Sequence, residues 1–323
     1  MWPAFGSILV GLALLVWSAD RFVEGATSFA RHLGVSTMII GITVVGFGTS
    51  APEILVSVIA VLEDTPDLAI GNALGSNIAN IGLILGVTAL ITPLPIAKIT
   101  FKREYPLLIF ATGVMSWCLY DGELDTVDGY LLLTLLGLML WYLVRSHQLE
   151  ANTNLDENKL DRGQDTSFLA SAGWLVLGLI LLVGSSKLLV WGATEVAHSF
   201  GISELIIGLT IVALGTSLPE LAASIASVRK GEPDLAIGNV IGSNLFNSLA
   251  VIGIPAMITR FNIDSLAVTR DLPVVIVLTF LLYGLSRFPA ASRSLSRLKG
   301  LWLLSAFVIY QLYLYYGVMT GTP

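Results

Sequence analysis

The chain has 323 residues, 55% of them hydrophobic and only 12% charged, with a formal net charge of −6. Soluble domains carry about 25% charged residues, so this composition excludes a soluble fold and leaves a polytopic membrane protein. No stretch alternates polar and apolar residues with a two-residue period, which argues against a β-barrel, and the single cysteine, Cys118, excludes an internal disulfide.

Apolar stretches of about 20 residues, enough to cross ~30 Å of hydrocarbon, recur from the N-terminus onward. The first covers about 4–28 and has no Lys or Arg ahead of its apolar run, so it reads as a retained span rather than a signal peptide. Asp20 and Glu24 lie toward its end, where they are expected near the cytoplasmic face with Arg21 and Arg31. Spans 2 and 3, at about 37–61 and 68–92, carry "GTSAPE" and "GNALGSNIAN". Spans 4 and 5 follow at about 104–120 and 128–145. The polar stretch "RSHQLEANTNLDENKLDRGQDTS" then reads as a solvated tether, and its acids do not follow the EF-hand pattern. The expected organisation is a membrane half over 1–146, a cytoplasmic linker over 147–166 and a second membrane half over 167–323. The second half supplies spans at about 168–197, 204–228, 235–258, 271–287 and 300–317. Lys187 is its one clear intramembrane lysine; His32, His147 and His198 fall near span ends or in loops, which gives little support to a proton relay.

Basic residues orient the spans. The loops after spans 1, 3, 5, 7 and 9 hold 13 of the 17 Lys and Arg residues. The loops after spans 2 and 4 hold acids (Glu63, Asp64, Asp67; Asp121, Glu123, Asp125, Asp128) and no base. Basic loops stay cytoplasmic, so both termini are expected outside the cytoplasm.

The linker separates two copies of one unit. Residues 41–86 align without a gap on 208–253, at an offset of 167 that carries Glu53 onto Glu220, Pro52 onto Pro219 and Asn80 onto Asn247. The same offset carries Arg103-Glu104-x-Pro106 onto Arg270-Asp271-x-Pro273. Each copy holds five spans. Five is odd, so the halves enter the membrane in opposite orientation, the construction of secondary transporters with a site near the midplane. The expected fold is all-α, with ten transmembrane helices in two inverted five-helix repeats.

Polar residues inside the spans then acquire a use. Pro52 and Pro219 lack an amide hydrogen and release the carbonyls of Gly48 and Gly215. Freed carbonyls at membrane depth are tolerated where they line a cavity or meet a ligand. Ser50, Glu53 and Ser57 share a helix face, as do Ser217, Glu220 and Ser224. Asn72, Ser76 and Asn80 form a stripe at four-residue spacing, repeated as Asn239, Ser243 and Asn247. Asn72, Asn239, Asn77 and Asn244 serve equally well as helix–helix glue. Gly71 with Gly75 and Gly238 with Gly242 read as close-packing surfaces, and Asp67 and Asp234 as N-caps. The inventory is two carboxylates, hydroxyls, amide oxygens and backbone carbonyls, with no thiolate or imidazole in either repeat. Such ligands suit calcium, magnesium, sodium or potassium. Two buried glutamates need compensating charge, from one divalent ion or from monovalent ions or protons, which favours exchange over leak.

The paired motifs "GTSAPE"/"GNALGSNIAN" and "GTSLPE"/"GNVIGSNLFN" resemble the two α-repeats of the calcium/cation antiporter superfamily, in particular bacterial sodium/calcium exchanger-like proteins. The resemblance covers nearly the whole chain. It implies Glu53 and Glu220 as principal calcium ligands, helped by Thr49, Ser50, Thr216, Ser217, Ser76, Asn80, Ser243 and Asn247. It implies no cofactor and no nucleic-acid partner, only transported Ca2+ and Na+ in a bacterial inner membrane, and it leaves oligomeric state open. Some relatives carry an acid where this chain has Asn247; here both Asn80 and Asn247 are neutral, which argues against potassium dependence. The expected activity is Ca2+/Na+ antiport by alternating access, with spans 1 and 6 sliding on a core of spans 2, 3, 7 and 8. A Ca2+/H+ antiporter on the same scaffold is the alternative, a passive cation channel a more distant one, and an enzyme the least supported, since no nucleophile–base pair appears.

Overall fold

The computed structural model describes residues 2–153, 167–200, 213–288 and 293–320. Most of the expected linker, residues 154–166, and the start of the seventh span, residues 201–212, lie outside the described residues. The regular structure of the described residues is helical apart from four two-residue strands. Its longer helices are α1 (Trp2–Leu33), α2 (Thr37–Leu62), α3 (Pro66–Ile91), α4 (Glu104–Leu119), α5 (Thr126–Thr153), α6 (Phe168–Ser199), α7 (Leu218–Arg229), α8 (Pro233–Ile258), α9 (Ala267–Arg287) and α10 (Arg297–Thr320). Eight are long and apolar enough to cross a membrane; α4, with 16 residues, and the described 12 residues of α7 are shorter.

Local chemistry sets several starts. The Ser36 hydroxyl accepts from the Ile39 amide at 3.4 Å at the head of α2, and Ser167 accepts from Ala170 at 3.2 Å at the head of α6. Pro66 and Pro233 open α3 and α8, where a missing amide hydrogen costs nothing. Proline already has a helical φ, so each helix begins at it, and Asp67 and Asp234 fall inside the first turn instead of capping it. Thr65 takes the N-cap position of α3, and Asp67 accepts from the Asp264 amide at 3.0 Å.

Two compact units emerge, Met1–Pro52 with Trp141–Gly242 and Glu53–Leu140 with Ser243–Pro323. Each draws on both halves of the sequence.

In the first unit, α1 and α6 run together along a seam of four glycines. A Cβ on Gly11 would stand 2.9 Å from the Leu189 nitrogen, and one on Gly178 would stand 2.7 Å from Phe22 Cα. Gly25 meets the backbone of Trp174, at 2.8 Å, and of Leu175; Gly192 meets Ala4 O, at 2.7 Å, and Ser7. Gly11 and Gly178, and Gly25 and Gly192, are repeat-mates. The N-terminal part of α8 presses on α2, with Gly238 against the Met38 carbonyl and Gly242 against Ile42. The other glycine pair differs: no described residue comes within 4 Å of a Cβ added at Gly71 or Gly75. Glu24 pairs with Arg21 at 3.0 Å and Lys230 at 3.8 Å, whereas Arg31 pairs with Glu232 at 3.6 Å. Arg21 also lies over the Trp174 ring at 5.3 Å.

In the second unit, α3 packs on α10, with Gly86 against the Gly300 carbonyl at 3.0 Å. Strand β1 (Leu94–Pro95) pairs antiparallel with β4 (Ser294–Leu295), and β2 (Glu123–Leu124) with β3 (Phe261–Asn262). Neighbouring ion pairs open α4 and α9: Arg103–Glu104 and Arg270–Asp271, each at 2.6 Å. Tyr310 donates to Asp271 at 2.8 Å.

The β2–β3 crossing is clamped by Arg260, which grips both oxygens of Glu123, with Nη2 2.6 Å from Oε2. The Arg260 hydrogen bonds hold the Glu123 carboxyl below its ordinary range. A depressed folded-state pKa adds stability above the unfolded value, and that stability is lost as pH falls through the folded value. Arg260→Ala should therefore melt slightly earlier than the parent at neutral pH, and the difference should vanish as melts are taken down through the carboxylate range. A difference that persists in acid would remove the pair as its cause.

Candidate cation site

The ten expected ligands divide between the two units. Nine of the ten are buried, and Thr216 is half-buried.

In the first unit, α2 contributes Thr49 and Ser50. The chain continues from a single turn (Ala213–Thr216) through Ser217 into α7, which carries Glu220. Glu220 is 1% exposed. Asn239 on α8 uses its whole side chain: Nδ2 donates to the Glu220 backbone carbonyl at 3.2 Å and to Ser224 Oγ at 3.0 Å, and Oδ1 accepts from Thr49 Oγ1 at 3.2 Å. One amide thus ties together α2, the glutamate turn of α7 and α8. The Ser50 hydroxyl is buried with no partner among the described residues.

In the second unit, Asn72 on α3 repeats the tether. Its Nδ2 donates to the Glu53 carbonyl and to Ser57 Oγ, both at 3.0 Å. The bonds of Asn72 and Asn239 coincide at the repeat offset, so both asparagines fasten the glutamate-bearing turn to the following helix. Helix glue, one of the two uses open to them from sequence, is what these bonds describe. Asn77 is glue as well, donating to Ser248 Oγ at 3.3 Å. Asn239→Leu would strand the Ser224 hydroxyl and Glu220 carbonyl, costing about 1–3 kcal/mol. A thermal melt in detergent should show this loss, and an unchanged melt would refute the tether.

The remaining polar groups behave differently. Glu53 is 1% exposed, and neither carboxylate oxygen has a hydrogen-bond partner among the described residues. The same holds for both amide atoms of Asn80, Asn247 and Asn244. Ser76 and Ser243 are buried on the same two helices. A π-turn begins at Asn80 (Asn80–Ile84) and another at Asn247 (Asn247–Val251), again at the repeat offset. Widened turns of this kind recur at functional sites. A buried carboxylate without a donor costs several kcal/mol unless charge compensates it. The oxygens of Glu53, Asn80 and Asn247 are of the hard kind that alkali and alkaline-earth cations take, while the two amide Nδ2 groups call for an acceptor such as water.

Sequence reasoning missed Ser186 and Ser248. The freed Gly215 carbonyl accepts from Ser186 Oγ on α6 at 2.8 Å. A serine in an apolar span has no spacing signal that would name its partner.

The profile of the sodium/calcium exchanger protein family matches this chain twice, over residues 3–145 and 170–316. The chain belongs to the sodium/calcium exchanger family. It is accordingly a multi-pass membrane antiporter of the calcium/cation superfamily, and members of the family are ion exchangers rather than enzymes. Exchanger relatives span its length. A candidate antiporter of Alkalimonas amylolytica, CaxA, is 48% identical over 95% of this chain and 97% of its own. The sodium/calcium exchanger MaX1 of Methanosarcina acetivorans is 30% identical over 96% and 97%. The solved sodium-calcium exchanger NCX_Mj, in a form soaked without Na+ and Ca2+, superimposes with a TM-score of 0.82 at 32% identity, covering 97% of this chain and 99% of that one.

Proposed function

We propose that this exchanger moves Ca2+ against Na+ by alternating access, with Glu53 and Glu220 as the principal cation ligands. Thr49, Ser50, Thr216, Ser217, Ser76, Asn80, Ser243 and Asn247 complete the oxygen set. The observation that carries the reading is the Glu53 carboxylate, buried with both oxygens free of hydrogen-bond partners among the described residues. A positively charged substrate resolves that cost, and release of one ion without entry of another restores it.

Ten spans in two inverted halves are the architecture of this proposal. Its support is the agreement of independent features at the offset of 167: the two asparagine tethers, the two π-turns and the two arginine–acid pairs. The strand pairs add to it. β1 and β3 are repeat-mates, and each pairs with a strand from the other half. β1 and β4 sit in loops of the basic, cytoplasmic set, and β2 and β3 in loops that the alternation of the spans assigns to the opposite side. The membrane is a bacterial inner membrane with both termini outside the cytoplasm. Neutral Asn80 and Asn247 favour independence from potassium.

The test is calcium uptake into everted vesicles under imposed sodium or proton gradients. Sodium-driven uptake, indifferent to potassium, is the expected result. Uptake driven by pH and blind to sodium would replace Na+ by H+ as the coupling ion, and uptake without saturation or counterflow would point to a channel.

A further inference from the structure

The α1–α6 pair is symmetric along its own seam but not in how it rests on the interrupted turns of the first unit. Beside α2, a Cβ on Gly48 would stand 2.7 Å from Leu179 Cδ2; beside the turn before α7, one on Gly215 would run into Val190. Both neighbours belong to α6. Their repeat-mates on α1 are engaged elsewhere: Leu12 lines an apolar cavity of about 200 Å3 with Leu218, Leu221 and Ile225 of α7, and Val23 is buried in the core of the unit. At both glycines the nearest side chain therefore comes from α6.

The hydrogen bonding follows the same bias. Ser186, 4% exposed, donates to the Gly215 carbonyl that Pro219 releases. The repeat-mate of Gly215 is Gly48, and the repeat-mate of Ser186 is Ala19, buried and without a hydroxyl. An inverted repeat implies a second arrangement in which α1 takes the place of α6. In that arrangement Ala19 meets Gly48 with no bond to offer, and Ser186 has left Gly215. The bond exists in one of the two states only, and a group that interacts with one state alone shifts the equilibrium toward it.

We propose that Ser186 is a one-sided latch, a positioning residue that weights the two access states toward the arrangement described here. The inference rests on the alternating-access reading. One buried hydrogen bond to a carbonyl corresponds to roughly a 2- to 10-fold shift in the population ratio.

The test measures populations rather than transport. Spin labels at Glu195→Cys on α6 and Lys230→Cys after α7, in a Cys118→Ala background, report the α6–α7 distance by pulsed dipolar spectroscopy in lipid nanodiscs with and without Na+ and Ca2+. Ser186→Ala should shift the ratio of the two distances roughly 2- to 10-fold away from the latched one. Ala19→Ser, which adds the missing hydroxyl in the other half, should shift it the same way, and Ser186→Thr should keep the parent ratio. Two populations whose ratio ignores both Ser186→Ala and Ala19→Ser would overturn the latch and leave alternating access standing. A single distance under every ionic condition would overturn alternating access and the latch with it. Should Ser186→Ala misfold, Ala19→Ser alone decides.

Discussion

Glu53→Gln and Glu220→Gln, made singly, are each expected to reduce sodium-driven calcium uptake by at least about 100-fold, the scale set by removing one partner of a buried charge pair. Glutamine keeps the size and one oxygen of the side chain but loses the charge that attracts a divalent ion into a dry site. The Glu53 carboxylate has no hydrogen bond to lose among the described residues, so the substitution removes an ion ligand and little else. The backbone carbonyls that Asn72 and Asn239 hold are also unaffected, since those bonds are made to the main chain. Glu53→Gln should therefore fold and elute like the parent, and without calcium it should melt no earlier. Calcium should raise the melting temperature of the parent and not that of the variant. Full coupled uptake in either variant would remove that glutamate from the site.

A second large effect is expected at the α1–α6 seam. Gly25→Ala and Gly192→Ala each place a methyl group against atoms that include backbone: Trp174 and Leu175 in one case, Ala4 and Ser7 in the other. Backbone in a continuous helix does not swing aside as a side chain does, so the helices must part. Overpacking of this kind costs about 1–3 kcal/mol. Gly173→Ala and Gly184→Ala, on the same helix, meet nothing within 4 Å among the described residues and should gain up to about 1 kcal/mol from helix propensity. Thermal melts of the four variants separate packing from propensity. If Gly25→Ala and Gly192→Ala melt like Gly173→Ala, the seam is not the close contact described.

Much of this molecule is legible in one dimension. Hydropathy reveals the spans because a bilayer demands apolar length, and the ungapped alignment of 41–86 on 208–253 reveals the duplication. The carboxylates stand out because charge at membrane depth is costly. The N-cap reading of Asp67 failed on one local rule, that a helix can begin at the proline itself. What spacing leaves open over longer range has a common cause. Asn72, Asn239, Asn80 and Asn247 share a motif and a periodicity, yet Asn239 satisfies its amide fully while Asn80 and Asn247 satisfy nothing among the described residues. Spacing along a helix tells which residues share a face, not what stands opposite that face.

Membrane class, the repeated unit and the presence of two carboxylates, Glu53 and Glu220, at matching positions inside apolar spans were determined by the sequence alone, because each follows from composition or from a pattern along the chain. The tertiary structure decided the rest. It made Asn72 and Asn239 tethers, placed π-turns at Asn80 and Asn247, and gave the Gly215 carbonyl to Ser186 while the matching position, Ala19, has no hydroxyl. A hydrogen bond between residues 29 apart depends on which helix lies alongside, and helix packing is settled by the whole set of contacts rather than by any one stretch of chain.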